Sequence, residues 1–77
     1  MSWDSALRDA ERWTQKLPLP KPIKGKFINL DEFSDSLDVQ GNYRIIVLRA
    51  AKRLLEKRGA DVYFTTPPGE AGLLDEL

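Results

Sequence analysis

The chain has 77 residues, which is enough for one small domain with a thin core and too few for most enzymes. Its 12 Lys and Arg residues balance its 12 Asp and Glu residues, so no net charge draws it to nucleic acid or to an anionic membrane. The sequence has no Cys and no His, which excludes disulfides, thiolate nucleophiles and the usual zinc sites. We therefore expect a non-enzymatic binding protein without a cofactor or a metal ion.

Membrane and export signals are not expected from this sequence. The longest uninterrupted apolar run is Ile45–Leu48, far below the roughly 20 residues that a membrane helix needs. The opening residues Met1–Asp4 do not resemble the start of a signal peptide. The sequence thus predicts a cytoplasmic protein with no membrane partner.

The first part of the chain predicts a helix over residues 1–16 followed by a proline-rich arm over residues 17–25. Apolar residues recur there at helical spacing: Trp3, Ala6, Leu7, Ala10 and Trp13. Ser2 is a suitable N-cap, and Pro18, Pro20 and Pro22 cannot continue a helix. We expect both tryptophans to pack onto the central helix, with a tryptophan that anchors a partner protein as the alternative.

Residues 26–77 are expected to form a helical body within the same single domain. Lys26–Ile28 predicts a very short strand, and Asn29 with Glu32 resembles a capping box that begins a short helix ending at Leu37. Asp31 and Asp35 lie four residues apart and would share a helix face. A calcium or magnesium site needs more oxygen ligands than this pair provides, so we expect a solvated acidic face.

The central helix is the best-defined element of the sequence. Residues 43–58 contain no Gly or Pro, and Gly59 is a natural residue to follow a helix end. Ile45 and Ile46 lie outside the main apolar stripe, so the first turn is apolar on all sides. Either the N-terminal helix and arm cover this turn, or another protein does. The candidate partner-binding residues are Tyr43, Ile45, Ile46, Arg49, Lys52 and Arg53.

After the central helix, residues 61–65 are β-prone, Pro67–Gly69 interrupt the chain, and residues 70–77 predict a short helix. The expected fold is therefore mostly α, a small α+β domain. In order, it has an amphipathic helix, a proline arm, a short helix, a long helix, and a short C-terminal strand and helix.

The central helix also concentrates positive charge. Residues 42–58 hold six basic residues against Glu56, for a local net charge of +5. Such a face can bind phosphates or an acidic protein surface, but the acidic segments on either side of it could equally neutralise it. No phosphate-binding motif is present, and the five glycines stand singly.

One interpretation of this basic helix is a helix-turn-helix DNA-binding regulator. Residues 30–48 would supply the two helices, and residues 62–65 would supply a wing. Two features weigh against this interpretation. Arg44 stands where a buried aliphatic residue is expected, and the acidic first helix would repel phosphate.

A family resemblance gives a second interpretation. The segments Leu30-Asp31-Glu32-Phe33, Asn42-Tyr43, Ala50-Ala51-Lys52-Arg53 and Leu73-Leu74-Asp75-Glu76-Leu77 occur in this order. Over about residues 28–77 the chain thereby resembles the omega subunit of bacterial RNA polymerase. The interval between Tyr43 and Ala50 is one residue longer than that family usually shows.

The resemblance implies a non-catalytic accessory subunit in transcription. Such a subunit lies against the C-terminal region of the largest polymerase subunit, where it acts as a latch that aids folding and assembly. The partner would then be a larger protein, with nucleic acid secondary. A small adaptor or inhibitor that acts by protein–protein binding is the remaining alternative.

Overall fold

The computed structural model describes residues 2–65, which form helices and a two-stranded parallel sheet. Helix α1 spans Trp3–Gln15, strand β1 spans Phe27–Asn29, and a 3-10 helix, η1, spans Leu30–Ser36. Helix α2 spans Gly41–Lys57, and strand β2 spans Asp61–Tyr63. The predicted fold class, mostly α with a small β component, is confirmed. The helix predicted over residues 70–77 lies outside the described residues.

Helix α1 begins and ends where its sequence indicates. The Ser2 side chain accepts a hydrogen bond from the Ser5 amide at 3.2 Å, which satisfies one of the free amides of the first turn. Ala6 and Ala10 are completely buried, so the backbone of α1 lies close to α2. The buried Trp13 packs in the core, and its indole Nε1 donates to Ser36 Oγ at 2.9 Å.

The proline arm packs against the core along part of its length. Ile23 is buried, and Leu17 and Leu19 are partly buried against the core. At the end of the arm, the Gly25 amide donates to the Gly59 carbonyl at 2.9 Å. The arm is therefore held to the body of the protein at both its ends.

The short helix predicted after β1 is a 3-10 helix. Asn29 caps it as expected, because its side chain accepts from the Asp31 amide at 3.1 Å. The hydroxyls of Ser34 and Ser36 donate to the carbonyls three residues earlier, at 3.1 and 2.7 Å. These local bonds compete with α-helical bonding, which is consistent with a single short 3-10 segment.

Helix α2 begins two residues earlier than predicted and connects the two strands. Its first residue, Gly41, has a φ of +69°, and Gly59 after its end has a φ of +94°, in the left-handed region that favours glycine. Ile28 pairs with Val62 in the parallel register, and both side chains are buried beneath the sheet. The largest fully buried side chains of the described residues are Leu30, Val47 and Leu55.

Candidate partner-binding surface

The solvent-facing side of α2 carries four of the six predicted partner-binding residues. We call this face the α2 surface: Ile45, Arg49, Lys52 and Arg53. Arg49 and Arg53 are exposed, and neither makes an ion pair within residues 2–65. Lys52 Nζ lies 3.4 Å from a Glu56 carboxylate oxygen, in an exposed pair that contributes little to stability. The α2 surface therefore presents two guanidinium groups that are available to a partner.

The two isoleucines of the first turn have different environments. Ile46 is partly buried and packs against the core, so this chain itself supplies its cover. Ile45 is also partly buried, but it is not among the side chains of residues 2–65 that pack against the core. The protein's own core therefore packs against Ile46, whereas Ile45 lies outside that packing within the described residues.

Tyr43, the remaining predicted residue, bonds within the protein. Its hydroxyl donates to the Asp9 carboxylate on α1, 34 residues away in sequence. This hydrogen bond lowers the pKa of Asp9, and the neighbouring Arg12 lowers it further, because both donors stabilise the carboxylate. The same bond raises the pKa of Tyr43, because it favours the neutral hydroxyl over the phenolate. Tyr43 thus joins α1 to α2.

Arg44 has a role that its sequence position did not reveal. Its guanidinium donates to the carbonyls of Ser34, Leu37 and Val39 at 2.6, 2.8 and 3.3 Å. These carbonyls lie at the end of η1 and in the turn before α2, and the Ser34 carbonyl also accepts from the Leu37 amide at 3.1 Å. The only signal in the sequence was a charged residue on the otherwise apolar side of α2.

A shallow groove lies between α1 and the C-terminal half of α2, next to the α2 surface. It encloses about 210 Å³, and its lining consists of Trp3, Leu7, Arg53, Leu54 and Lys57. Trp3 is 42% exposed, in contrast to the buried Trp13. Of the two tryptophans, Trp13 is therefore a core residue, whereas Trp3 has its ring open to solvent beside two cations.

Neither a metal-binding cluster of three or more residues nor a membrane-spanning helix is found in the described part of the chain. No group of three or more Asp, Glu, His or Cys residues between residues 2 and 65 could hold a metal ion. None of the helices described is both long and apolar enough to cross a bilayer. No protein-family model, curated protein or solved structure matches the chain.

The helix-turn-helix interpretation requires a different local structure. Residues 30–48 form η1 and the first half of α2, so only the second of the two expected helices is an α-helix. Strand β2, which that interpretation assigns to a wing, pairs in parallel with β1 instead of forming a hairpin. Arg44, near the start of the presumed recognition helix, bonds to the chain's own carbonyls.

Proposed function

We propose that this protein is a non-catalytic accessory protein that binds a larger protein through the α2 surface. The observation that supports this proposal is the position of Ile45, an aliphatic side chain that does not pack against the core of the described residues. It shares a face of α2 with Arg49 and Arg53, which make no ion pair within residues 2–65. Protein interfaces often combine an apolar contact with arginine, because the guanidinium group can donate two parallel hydrogen bonds to one carboxylate.

The partner that we propose is the largest subunit of a bacterial RNA polymerase. The support is the order of the omega-like segments, and their distribution within α2 agrees with such a role. Ala50 and Ala51 are buried on the inner side of the helix, and Arg53 is exposed on the outer side. The alanines would then maintain the fold, and the basic residues would contact the partner.

Affinity purification of the tagged protein from its native cell, with and without nuclease, tests this proposal. We expect the large polymerase subunits to be recovered in both samples. Recovery that disappears with nuclease would indicate a nucleic-acid bridge and contradict direct binding. Recovery of a different single protein would retain an accessory role and refute the polymerase as partner.

Matched variants locate the contact. Arg49→Glu reverses a charge on the α2 surface, and Arg8→Glu makes the same change at an exposed position on α1. Both residues are exposed, so we expect both variants to fold. Partner recovery should fall for Arg49→Glu and remain unchanged for Arg8→Glu. An equal fall for both would mean that net charge, and not the α2 surface, governs binding.

A further inference from the structure

The outer face of the sheet has an unusual composition for a parallel pair. Parallel strands are normally covered on both faces. Here Phe27 on β1 is 75% exposed and Tyr63 on β2 is 47% exposed, and both point away from the buried Ile28 and Val62. In the register, Phe27 lies opposite Asp61 and Tyr63 lies opposite Asn29. Two aromatic residues therefore lie on neighbouring strands of a solvent-exposed surface, offset from each other by two residues along the strand direction.

Three basic residues lie near the end of the sheet at which both parallel strands begin. Lys24 and Lys26 precede β1, and Arg58 follows α2 just before β2. Backbone bonds hold these segments together, because the Gly25 amide donates to Gly59 O at 2.9 Å and the Asp61 amide to Lys26 O at 2.8 Å. All three basic side chains are exposed, and none makes an ion pair within the described residues 2–65.

We propose that this face binds a single-stranded nucleic acid, with bases stacked on Phe27 and Tyr63 and phosphates held by Lys24, Lys26 and Arg58. Bases of any identity stack on exposed aromatic side chains, and basic residues beside them attract the phosphate backbone of the nucleic acid. Asp61 lies on the same face beside Phe27 and would repel phosphate. Its carboxylate accepts hydrogen bonds, so it suits the exocyclic amino group of adenine or cytosine.

The site is separate from the α2 surface, and its test does not depend on the protein partner. The probe is a fluorescein-labelled oligoadenylate of about ten nucleotides, as RNA and as DNA, followed by fluorescence anisotropy with the full chain. We expect binding that weakens roughly 15-fold between about 50 and 200 mM NaCl, since three cations give a logarithmic salt slope of about −2 on a single strand. Oligouridylate, which has no exocyclic amino group, should bind more weakly than oligoadenylate.

Single variants assign the contacts. Phe27→Ala and Tyr63→Ala should each weaken binding about tenfold, the effect of one lost stacked base. Lys26→Gln should reduce the salt slope by about 0.7. Trp3→Ala removes another exposed aromatic residue, which lies on α1 and outside the sheet, and should bind as tightly as the wild type. Circular dichroism checks that each variant is folded.

Three results would overturn the proposal. The first is no binding of oligoadenylate at the lowest salt concentration. The second is unchanged binding by Phe27→Ala and Tyr63→Ala, which would indicate attraction by charge alone. The third is equal affinity for duplex DNA, whose stacked bases cannot reach the two rings. A protein that crosslinks to this face in cells while the oligonucleotides fail to bind would point to a protein ligand instead.

Discussion

The hydroxyl of Tyr43 donates a hydrogen bond to the carboxylate of Asp9, and this bond ties the start of α2 to the middle of α1. The bond has consequences for stability at both ends of the pH range, because it shifts the pKa of Asp9 down from 3.8 and that of Tyr43 up from 10.0. Only the native state holds these two groups together.

We therefore predict that Tyr43→Phe lowers the melting temperature over the neutral range. The contribution of Asp9 is present above its unfolded pKa and is lost as the pH falls through the lower pKa of the folded state. The contribution of Tyr43 is present below pH 10.0 and is lost as the pH rises through its raised pKa. The difference between the two proteins should thus be constant near neutrality and shrink at both extremes.

Thermal melts monitored by circular dichroism from acid to alkaline pH provide the measurement. Tyr63→Phe is the control, because the Tyr63 side chain is 47% exposed and its hydroxyl has no hydrogen bond within residues 2–65. A difference between wild type and Tyr43→Phe that persists undiminished at the acid end would show that the bond to Asp9 is not its source.

The second prediction concerns Arg44. Replacing it with Met keeps an apolar stem but removes the donors to Ser34, Leu37 and Val39, and we expect a loss of about 2 kcal/mol in the free energy of unfolding. Arg44→Lys should retain only part of the stabilisation that Arg44 provides, since a single ammonium cannot reach three carbonyls with the geometry of a guanidinium. Urea denaturation measures both.

The exposed Arg49 offers a matched comparison for Arg44. Arg49→Met lies five residues further along the same helix and should change stability by less than about 0.5 kcal/mol. Similar losses for Arg44→Met and Arg49→Met would mean that the carbonyl contacts of Arg44 have no net stabilising effect.

Local signals in the sequence predicted most of the secondary structure. Ser2 and Asn29 act as helix caps, and Gly59 follows the end of α2, because each of these roles depends on a few neighbouring residues. Helix α2 begins two residues before the stretch without Gly or Pro that predicts it, because Gly41 is its first residue. Its positive φ places it at the boundary between the turn and the helix.

Contacts between distant segments were not predictable in the same way. The parallel pairing of Ile28 with Val62 and the bond between Tyr43 and Asp9 each join residues 34 apart, and neither leaves a pattern in the local sequence. The sequence therefore predicted the candidate surface only in part. The sequence grouped Ile45 with Ile46, and only the packing of α1 and the core against α2 distinguishes them.

That distinction gives the third prediction. Ile46→Ala removes a side chain that packs against the core and should cost about 2 kcal/mol in the free energy of unfolding. Ile45→Ala should cost clearly less, because Ile45 does not pack against the core of the described residues. Chemical denaturation of the two variants checks the order. If Ile45→Ala proved as destabilising as Ile46→Ala, Ile45 would be a structural residue and a poor candidate for partner contact.

The fourth prediction compares two glycines that both have a positive φ. Gly59 has a φ of +94°, and a Cβ there would lie 2.9 Å from Lys24 Cγ, whereas Gly25 has a φ of +77° and nothing within 4 Å of a Cβ. Alanine at either position should cost about 1 to 2 kcal/mol, since L-residues are strained in this region. Gly59→Ala should cost more than Gly25→Ala because the Lys24 side chain must also move.

A double-mutant cycle separates the two causes. In a Lys24→Ala background the Cγ is absent, so the cost of Gly59→Ala should fall towards that of Gly25→Ala, as measured by urea denaturation. A cost of Gly59→Ala that is the same in both backgrounds would attribute the whole effect to backbone strain. The close approach of Lys24 to Gly59 would then have no energetic consequence for the junction between the proline arm and β2.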